Sequence, residues 1–494
     1  MSLKHVQFKT FKGGLNTRDS ASELASDEIP DALNVTIDER GAATKRLGYE
    51  RRYSTALGAS LVSNVFDWKS RGNTITQEGP RMHVNSSTTA FHTWSTSDRV
   101  GMCEFLGDLV MIHPVDGVRR YDGTTITGPF ANFPLGNTCS AWQGKCWFAG
   151  NPTNPSRVSY TDIAAMTMGV NNWVDLREKD DSKVVCLAGA AGLDVSGRPG
   201  LLAFKNDSSY RIYDSSNGAY NTIDAGIGCG SNIGAVSAYG RTYVASPRGI
   251  YYTNGLDPMV EASAKIENLF SDDVMNITRP DLFAAGRYQD RLRFSFPATG
   301  ATFNSIAIEL HPLSGWIMMH TDAASCYAST ASDLIMGSPT VNGLVYNGYR
   351  TGADDAAAIA SYMQTFWLEP NFGNLVRVRR ARFVGFGTFN AALYKDYESG
   401  QSLQTLAVDI SPTEYLYDDA AAIYDAPGVT YGPTAFQDYQ DFWSIGTARA
   451  FSVRISETST LSLPGRNVVG QAGQEQGAWM LAHVNLLTID LGYR

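Results

Sequence analysis

The 494-residue sequence lacks the features that mark membrane-spanning and exported proteins. It contains no apolar run of about 18 residues or more, which a membrane-spanning helix needs, and no apolar segment near its start of the kind found in signal peptides. Its six cysteines include no C-x-x-C pair and mostly lie beside apolar residues. This usage favours free buried thiols over disulfides or metal ligands. We therefore expect a protein that is made soluble in a cytoplasm.

The usual sequence motifs of catalysis are also missing. No H-E-x-x-H, G-x-S-x-G or Walker-type phosphate-binding sequence occurs, and the seven histidines are scattered with no pair at metal-ligand spacing. Paired carboxylates such as Asp180-Asp181 could serve glycosidase chemistry, but they lie in polar stretches that favour solvated charge. We predict that the protein is not an enzyme, and we expect no cofactor and no metal.

A strong excess of basic residues is absent as well. The formal net charge is −9 at pH 7, and 18% of the residues are charged. A surface that binds nucleic acid needs a basic face, because it must neutralise phosphates. The acidic balance argues against such a surface, although a polyanion could still slide through a neutral or acidic conduit.

Glycine and aromatic residues, in contrast, are abundant. The chain has 47 Gly, 24 Tyr and 22 Phe and few long stretches of helix-favouring residues, which indicates mainly β structure. Between about residues 60 and 350 a two-strand unit recurs, in which a turn residue and a few apolar residues precede a loop and a second strand. The second strand of the clearest copies ends in Asp-Gly or Asn-Gly. Copies begin at Gly107, Gly144, Gly200, Gly240, Gln289 and Ser332, and an incomplete one begins at Gly79.

This repeat has an irregular period, close to the about 40 to 50 residues of four-stranded propeller blades. Such blades bury their faces against their neighbours, and closure of the ring removes exposed sheet edges. The sequence therefore predicts a β-propeller of six or seven blades over residues 59–350. An array of β-sandwiches stays the alternative, because any hairpin shows glycine-bounded apolar runs.

The regions on either side of the repeat do not share it. Residues 1–58 are predicted to form an extended arm that bends at Gly13-Gly14 and ends in a small hairpin. The small-residue stretch 351–362 predicts a linker. Residues 363–494 predict a C-terminal β-sandwich-like platform domain, with strands at 376–384, 391–397, 451–455 and 479–491.

The arm also carries a resemblance to a known family. Its sequence contains Lys12-Gly13-Gly14-Leu15-Asn16, then Leu24, Ala32-Leu33-Asn34-Val35, Gly41 and Lys45-Arg46-x-Gly48. This pattern resembles the opening of tail nozzle (tail tubular) proteins of short-tailed bacteriophages and of related head-to-tail junction stabilisation proteins. It covers about the first tenth of the chain, and 202–213 resembles blade strands of the same proteins.

The resemblance implies a structural virion protein of a bacteriophage tail or head-to-tail junction. The protein would form a ring, a hexamer by resemblance, that continues the DNA channel below the portal and adaptor. It would retain the packaged genome, support tail fibres and work by loop rearrangement rather than catalysis. Its expected partners are copies of itself, the adaptor, portal or other tail proteins, and DNA that passes without sequence-specific binding.

Two regions are candidates for assembly contacts. The segment Phe8–Leu47 is expected to pack across the domain junction or onto a neighbouring subunit, so deletion of residues 1–33 should impair oligomerisation or attachment to the virion. Arginines near 380 could pair with an acidic loop, and aromatic residues of the stretch 415–443 could form a contact surface, with a solvated strand and local packing as the alternatives. The candidate residues are Gly13, Gly14, Leu15, Asn16, Leu33, Arg377, Arg379, Arg380, Arg382, Tyr431, Tyr439 and Trp443.

A second function class stays open on sequence grounds. A propeller of this kind could be a soluble carbohydrate-binding or carbohydrate-cleaving protein, such as an adhesin. The sequence shows no repeated Ser-x-Asp-x-Gly-x-x-Trp turn of the sialidase type. We therefore keep this class as the alternative to the virion protein.

Overall fold

The chain forms two compact units, which we describe from a computed structural model. One unit comprises Glu50–Leu313 and Thr321–Tyr349, and the other comprises Met1–Tyr49, Ser314–His320 and Arg350–Arg494. The structure describes residues 3–8, 10–177, 182–193, 199–369, 375–398, 400, 402–410, 437–441, 447–457 and 479–490.

The larger unit is a β-propeller with seven blades, each an antiparallel sheet whose strands follow one another in the chain. Three short 3₁₀ helices, Lys69–Arg71, Ala264–Leu269 and Pro280–Leu282, lie in its turns and loops. From the innermost strand outward, the blades comprise Val62–Trp68, Asn73–Glu78, Arg81–Val84 and His92–Thr93 (blade 1); Gly101–Phe105, Asp108–His113, Gly117–Tyr121 and Ile126–Thr127 (blade 2); Thr138–Trp142, Lys145–Ala149, Arg157–Tyr160 and Trp173–Asp175 (blade 3); Cys186–Leu193, Pro199–Phe204, Ser209–Ile212 and Tyr220–Asp224 (blade 4); Ala235–Ala238, Arg241–Ser246, Gly249–Thr253 and Val260–Glu261 (blade 5); Ala284–Tyr288, Arg291–Pro297 and Asn304–Leu310 (blade 6); and Tyr327–Ser329, Leu334–Gly337 and Val345–Thr351 (blade 7).

The ring closes because the start of this unit lies along its last blade. Backbone N–H groups of Arg52 and Leu57 donate to the carbonyls of Val345 (2.9 Å) and Gly343 (3.0 Å), and Gly343 donates back to Ser60 (2.9 Å). The innermost strand of blade 7 also lies beside that of blade 1. Pairing between distant parts of the chain thus leaves no open blade edge at the junction.

Apolar side chains between neighbouring blades hold the ring together. Between blades 3 and 4 the core includes Trp147, Leu187 and Tyr210, and between blades 1 and 2 it includes Trp68 and Leu109. Cores of this kind also join blades 2 and 3, 4 and 5, and 7 and 1. All six cysteines are buried and free, and most of them lie in these cores: Cys103, Cys139, Cys146, Cys186, Cys229 and Cys326.

The predicted propeller and its mainly β character are confirmed, with seven blades. The six full copies of the sequence repeat are the second and third strands of blades 2 to 7. In blade 1 the predicted copy is displaced, because the stretch after Gly79 forms the third and fourth strands rather than the second and third. The true second strand, Asn73–Glu78, has the polar sequence NTITQE and so lacks the apolar run of the repeat.

The smaller unit contains one sheet of eleven strands. Its main path runs Asp31–Leu33, Ser361–Gln364, Phe451–Glu457, Val376–Lys395, Trp479–Asp490, Ala43–Lys45 and Val35–Ile37. Leu3–Phe8 pairs with Trp479–Asp490, while Gln404–Ile410, Gln437–Asp441 and Thr447–Ala448 pair with Val376–Lys395. Short strands outside this sheet are Gly14–Leu15, Glu28–Ile29, Gly48–Arg51, Ile317–His320, Ala353–Asp354 and Ala357–Ala358.

These boundaries differ from the predicted division into 1–58, 59–350, 351–362 and 363–494. Residues 1–49 are not a separate arm, because four of their strands belong to the same sheet as the C-terminal strands. The stretch 351–362 holds a two-stranded pair and the start of Ser361–Gln364 rather than a plain linker. The predicted strands 376–384 and 391–397 lie almost wholly in one strand, Val376–Lys395.

Candidate functional site: the central channel of the propeller

The innermost strands of all seven blades surround a cavity of about 200 Å³. Its volume gives room for a small cluster of water molecules. Both polar and apolar side chains line it, since the innermost strands alternate their side chains. The lining residues are Asn64, Val65, Phe66, Gly101, Met102, Asn137, Thr138, Cys139, Leu187, Asn232, Ile233, Ala235, Ala285 and Tyr327.

A single arginine joins several blades at the end of the channel where the innermost strands begin. Arg99 lies in the loop between blades 1 and 2, and its Nε donates to the Ser63 carbonyl at 2.9 Å. Its Nη1 donates to the Asp281 carbonyl at 2.8 Å and to Asn232 Oδ1 at 3.4 Å. Burial lowers the pKa of Arg99 from its usual value. Because these partners precede or begin blades 1, 5 and 6, Arg99 reaches across this end of the channel.

The opposite end opens into a larger cavity of about 890 Å³. It lies where the innermost strands of blades 1, 5, 6 and 7 turn into the second strands. We call this cavity the channel mouth. Its lining residues are Arg52, Asp67, Lys69, Gly72, Thr74, Val236, Ser237, Arg287, Gln289, Ser329, Thr330, Ala331, Ser332 and Asp333.

Several turns around this end of the propeller share an unusual backbone conformation. Leu106, Gln143, Tyr239 and Gln289 all have positive φ, between 47° and 56°. Each is the first residue of a two-residue connection between first and second strands, which fits the type I′ turn that such hairpins favour. Leu106 and Tyr239 stay 56% and 45% exposed, so the turns present two large side chains to solvent.

Charged groups of both signs meet at the channel mouth. Asp67 is half-buried, and this burial raises the pKa of its carboxyl, although Lys69 and Arg52 act in the opposite direction. Arg52 donates to Asn347 Oδ1 at 2.8 Å and lies 3.8 Å from Asp333 Oδ2. The mouth therefore combines three cations with two carboxylates and several hydroxyl groups, which suits binding of a polar ligand.

The first group of predicted contact residues lies in the sheet unit, away from the channel residues. Gly14 has φ +70°, and a Cβ at Gly13 would come within 2.6 Å of Glu28 Cγ. Leu15 is buried, and the buried Asn16 donates to Glu28 Oε2 at 2.9 Å. Leu33 lies half-buried in the strand Asp31–Leu33, which pairs with Ser361–Gln364. In the described chain these residues make internal contacts of the sheet unit.

The predicted arginine group lies on the long strand Val376–Lys395. The pairing with Trp479–Asp490 shifts between Val378 and Arg380, so a bulge at Arg379 interrupts the simple alternation of side chains. Arg377 is half-buried and Arg382 is exposed. Of the aromatic group, Tyr439 lies in the strand Gln437–Asp441, and Tyr431 and Trp443 lie outside the described residues.

Sequence reasoning did not find the channel residues. Arg99, Asp67 and Arg287 stand alone among ordinary loop and strand residues, and no motif marks them. The one available signal was position, because each lies near an end of an innermost strand, where a propeller brings side chains from different blades together.

Comparison with known proteins gives fold-level likeness alone. The chain matches no protein-family profile and no curated protein. Among solved structures it is similar to Sqt1 of Saccharomyces cerevisiae, with 10% identity, a TM-score of 0.39, and coverage of 61% of this chain and 99% of that one. It is also similar to BBS1N in complex with ARL6DN, with 9% identity, a TM-score of 0.40, and coverage of 61% and 96%. The strand pairing described above is therefore the basis for the propeller.

Two further searches concern the described part of the chain. There, no group of three or more His, Cys, Asp or Glu side chains is arranged to hold a metal ion. No helix among the same residues is long and apolar enough to cross a membrane.

Proposed function

We propose that this protein is a structural virion protein of a short-tailed bacteriophage, located in the tail or head-to-tail junction. It assembles as a ring that continues the DNA channel, retains the packaged genome and supports tail appendages. The proposal includes no catalytic step. The propeller and the acidic composition are compatible with such a part, and the resemblance of residues 12–48 is its starting point.

One observation supports this proposal above others: the residues that carry the resemblance have demanding structural roles. Gly14 needs positive φ, and the side chain of Asn34, itself at φ +57°, donates to the Ala360 carbonyl at 2.7 Å. Lys45 Nζ lies 3.4 Å from Glu457 Oε1, and both side chains are buried. Arg46 Nε donates to Asn34 Oδ1 at 2.8 Å. The shared pattern therefore consists of residues that build N-terminal strands into a C-terminal sheet, rather than of interchangeable surface residues.

The geometry of the propeller limits where DNA could pass. A cavity of about 200 Å³ beside the Arg99 contacts is too small for a nucleic-acid duplex. In the proposed ring the DNA channel therefore runs between copies of the chain, and the axis of each propeller is not a conduit. The net charge of −9 suits a wall past which a polyanion slides without binding.

The test is assembly of the full-length protein. We expect rings by light scattering after size exclusion and by negative-stain imaging, alone or upon addition of the adaptor ring of the same phage. Rings that form only with the adaptor would still support the proposal. A monomer under both conditions, together with hydrolysis of a glycan, would contradict it and favour the carbohydrate-active alternative.

A further inference from the structure

The channel mouth holds polar groups that lack partners among the described residues. Asp67 is half-buried but makes no hydrogen bond with any described group, and burial raises the pKa of its carboxyl. Lys69 is exposed at the same rim and forms no ion pair within the described chain. A half-buried carboxylate and a nearby free ammonium form a site where a ligand can supply the missing hydrogen bonds.

Arg287 adds a second unsatisfied cation on the neighbouring wall. Its Nε donates to the Gln289 carbonyl at 2.8 Å, which fixes the orientation of the guanidinium group. Neither Nη atom has a hydrogen-bond acceptor in the described part of the structure. The Arg287 Cζ lies 5.2 Å from the centre of the Tyr239 ring, which steadies the cation by a cation–π contact. A fixed fork of two N–H groups is well suited to a carboxylate.

Tyr239 occupies a turn position that favours glycine or asparagine. Its φ is +48°, and its side chain is 45% exposed. Large side chains in this conformation carry a steric cost and are found at functional positions. An exposed aromatic ring beside the mouth offers a flat apolar face, of the kind on which a sugar ring can stack.

We propose that the channel mouth binds an acidic saccharide, with Arg287 and Lys69 holding its carboxylate, Asp67 accepting from its hydroxyl groups and Tyr239 contacting one sugar face. The cavity of about 890 Å³ is large enough for more than one sugar ring. The two carboxylates, Asp67 and Asp333, argue against a longer polyanion such as nucleic acid, because they would repel successive phosphates. This inference does not depend on ring assembly.

The experiment is calorimetric titration of the full-length protein with a galacturonic acid trisaccharide and with N-acetylneuraminic acid. The matching galactose trisaccharide and inorganic phosphate serve as comparison probes. We expect at least one acidic sugar to bind at least about tenfold more tightly than both comparison probes. Arg287→Gln should weaken that binding about tenfold, because the guanidinium fork is lost.

The matched control is Arg248→Gln. Arg248 is an exposed arginine on the turn after the second strand of blade 5, at the opposite end of that strand from the mouth, and its loss should leave binding unchanged. Lys69→Gln changes an exposed residue and should also weaken binding, so the result does not rest on one variant that could misfold. Absence of binding by both acidic sugars, equal binding of phosphate or of the neutral sugar, or an equal effect of Arg248→Gln would each overturn the inference. Ring assembly would be unaffected by any of these outcomes.

Discussion

At the residue scale, Gly343 shows how one position can hold the propeller ring closed. Its φ is +62°, and a Cβ there would lie 2.3 Å from the carbonyl oxygen of Gly58, in the segment that runs along blade 7. Gly240 has a similar φ of +73° but open space around it. Both glycines avoid the strain of the left-handed region, but one of them also permits a close backbone approach.

This pair gives a test of ring closure. Gly240→Ala should lower the free energy of unfolding by about 1 to 2 kcal/mol, the cost of a left-handed conformation for a residue with a Cβ. Gly343→Ala should cost at least about 1 kcal/mol more, because the Gly58 backbone must also move. Guanidinium denaturation of the larger unit measures both. Equal losses would show that the approach of the segment to blade 7 adds no stability.

Three histidines of blades 1 and 2 make the propeller sensitive to mild acid. Burial lowers the pKa of His83, His92 and His113 below the usual value of about 6.5. Each group is then neutral in the folded protein but protonated in the unfolded chain below that pH. The unfolded state therefore binds more protons, and the free energy of unfolding falls as the pH drops below about 6.5.

We expect a loss of up to about 1.4 kcal/mol per histidine for each pH unit below 6.5, while the folded form stays neutral. Urea denaturation at pH 7.5 and 5.5 measures this difference, well above the range where most carboxylates titrate. Replacing the three histidines by glutamine should flatten the dependence, whatever it does to the stability at pH 7.5. An unchanged dependence in that variant would contradict the assignment.

At the scale of elements, the sequence predicted those that carry a local signal. Central hairpins were visible in blades 2 to 7, because each combines an apolar second strand with turn residues at fixed positions. The outer strands were not visible, since some of them, such as His92–Thr93 and Ile126–Thr127, are only two residues long. Local periodicity cannot reveal strands that short.

The role of the N-terminal segment was missed for a different reason. Leu3–Phe8 pairs with Trp479–Asp490, from Leu3 opposite Ile489 to Phe8 opposite Val484, at the other end of the chain. Nothing in either local sequence specifies so distant a partner. The deletion of residues 1–33 is consequently a poor test of assembly, because it removes Leu3–Phe8 and Asp31–Leu33 from their own sheet.

A buried ion pair joins the N-terminal hairpin to that sheet and gives a sharper test. Lys45 is 1% exposed, and its partner Glu457, in the strand Phe451–Glu457, is 5% exposed. Burial lowers the pKa of Lys45, and Glu457 opposes that shift. Glu457→Gln should cost about 3 to 5 kcal/mol, because it leaves an uncompensated buried ammonium.

The compensating control replaces both partners. Lys45→Met combined with Glu457→Gln removes the buried charges together, so it should recover most of the stability that Glu457→Gln loses. Chemical denaturation followed by hydrogen exchange in Phe451–Glu457 distinguishes the variants. A double variant no more stable than Glu457→Gln would show that the charge pair is not what holds the hairpin.

At the scale of the whole molecule, the proposed ring can be tested on a surface that folding does not need. Arg382→Glu reverses an exposed charge on the long strand, where contact with an acidic loop of a neighbour was predicted. Arg449→Glu changes another exposed arginine of the same unit. If Arg382 lies at the ring contact, its reversal should reduce ring formation at least about tenfold, measured by light scattering across a concentration series.

The control should assemble normally. Circular dichroism of both variants checks that each is folded before assembly is compared. Equal assembly of the two variants would remove Arg382 from the ring contact while leaving the rest of the proposal in place.

The pairing of Leu3–Phe8 with Trp479–Asp490 also sets an order of events during synthesis. A ribosome releases the first of these strands early and its partner almost last, whereas the seven blades emerge in between, each next to the blade that it contacts. The propeller can therefore fold while translation continues, but the sheet unit must wait for the end of the message. A prematurely terminated product would carry a folded propeller and an unpaired first strand, which a cell's proteases and chaperones can distinguish from the finished chain.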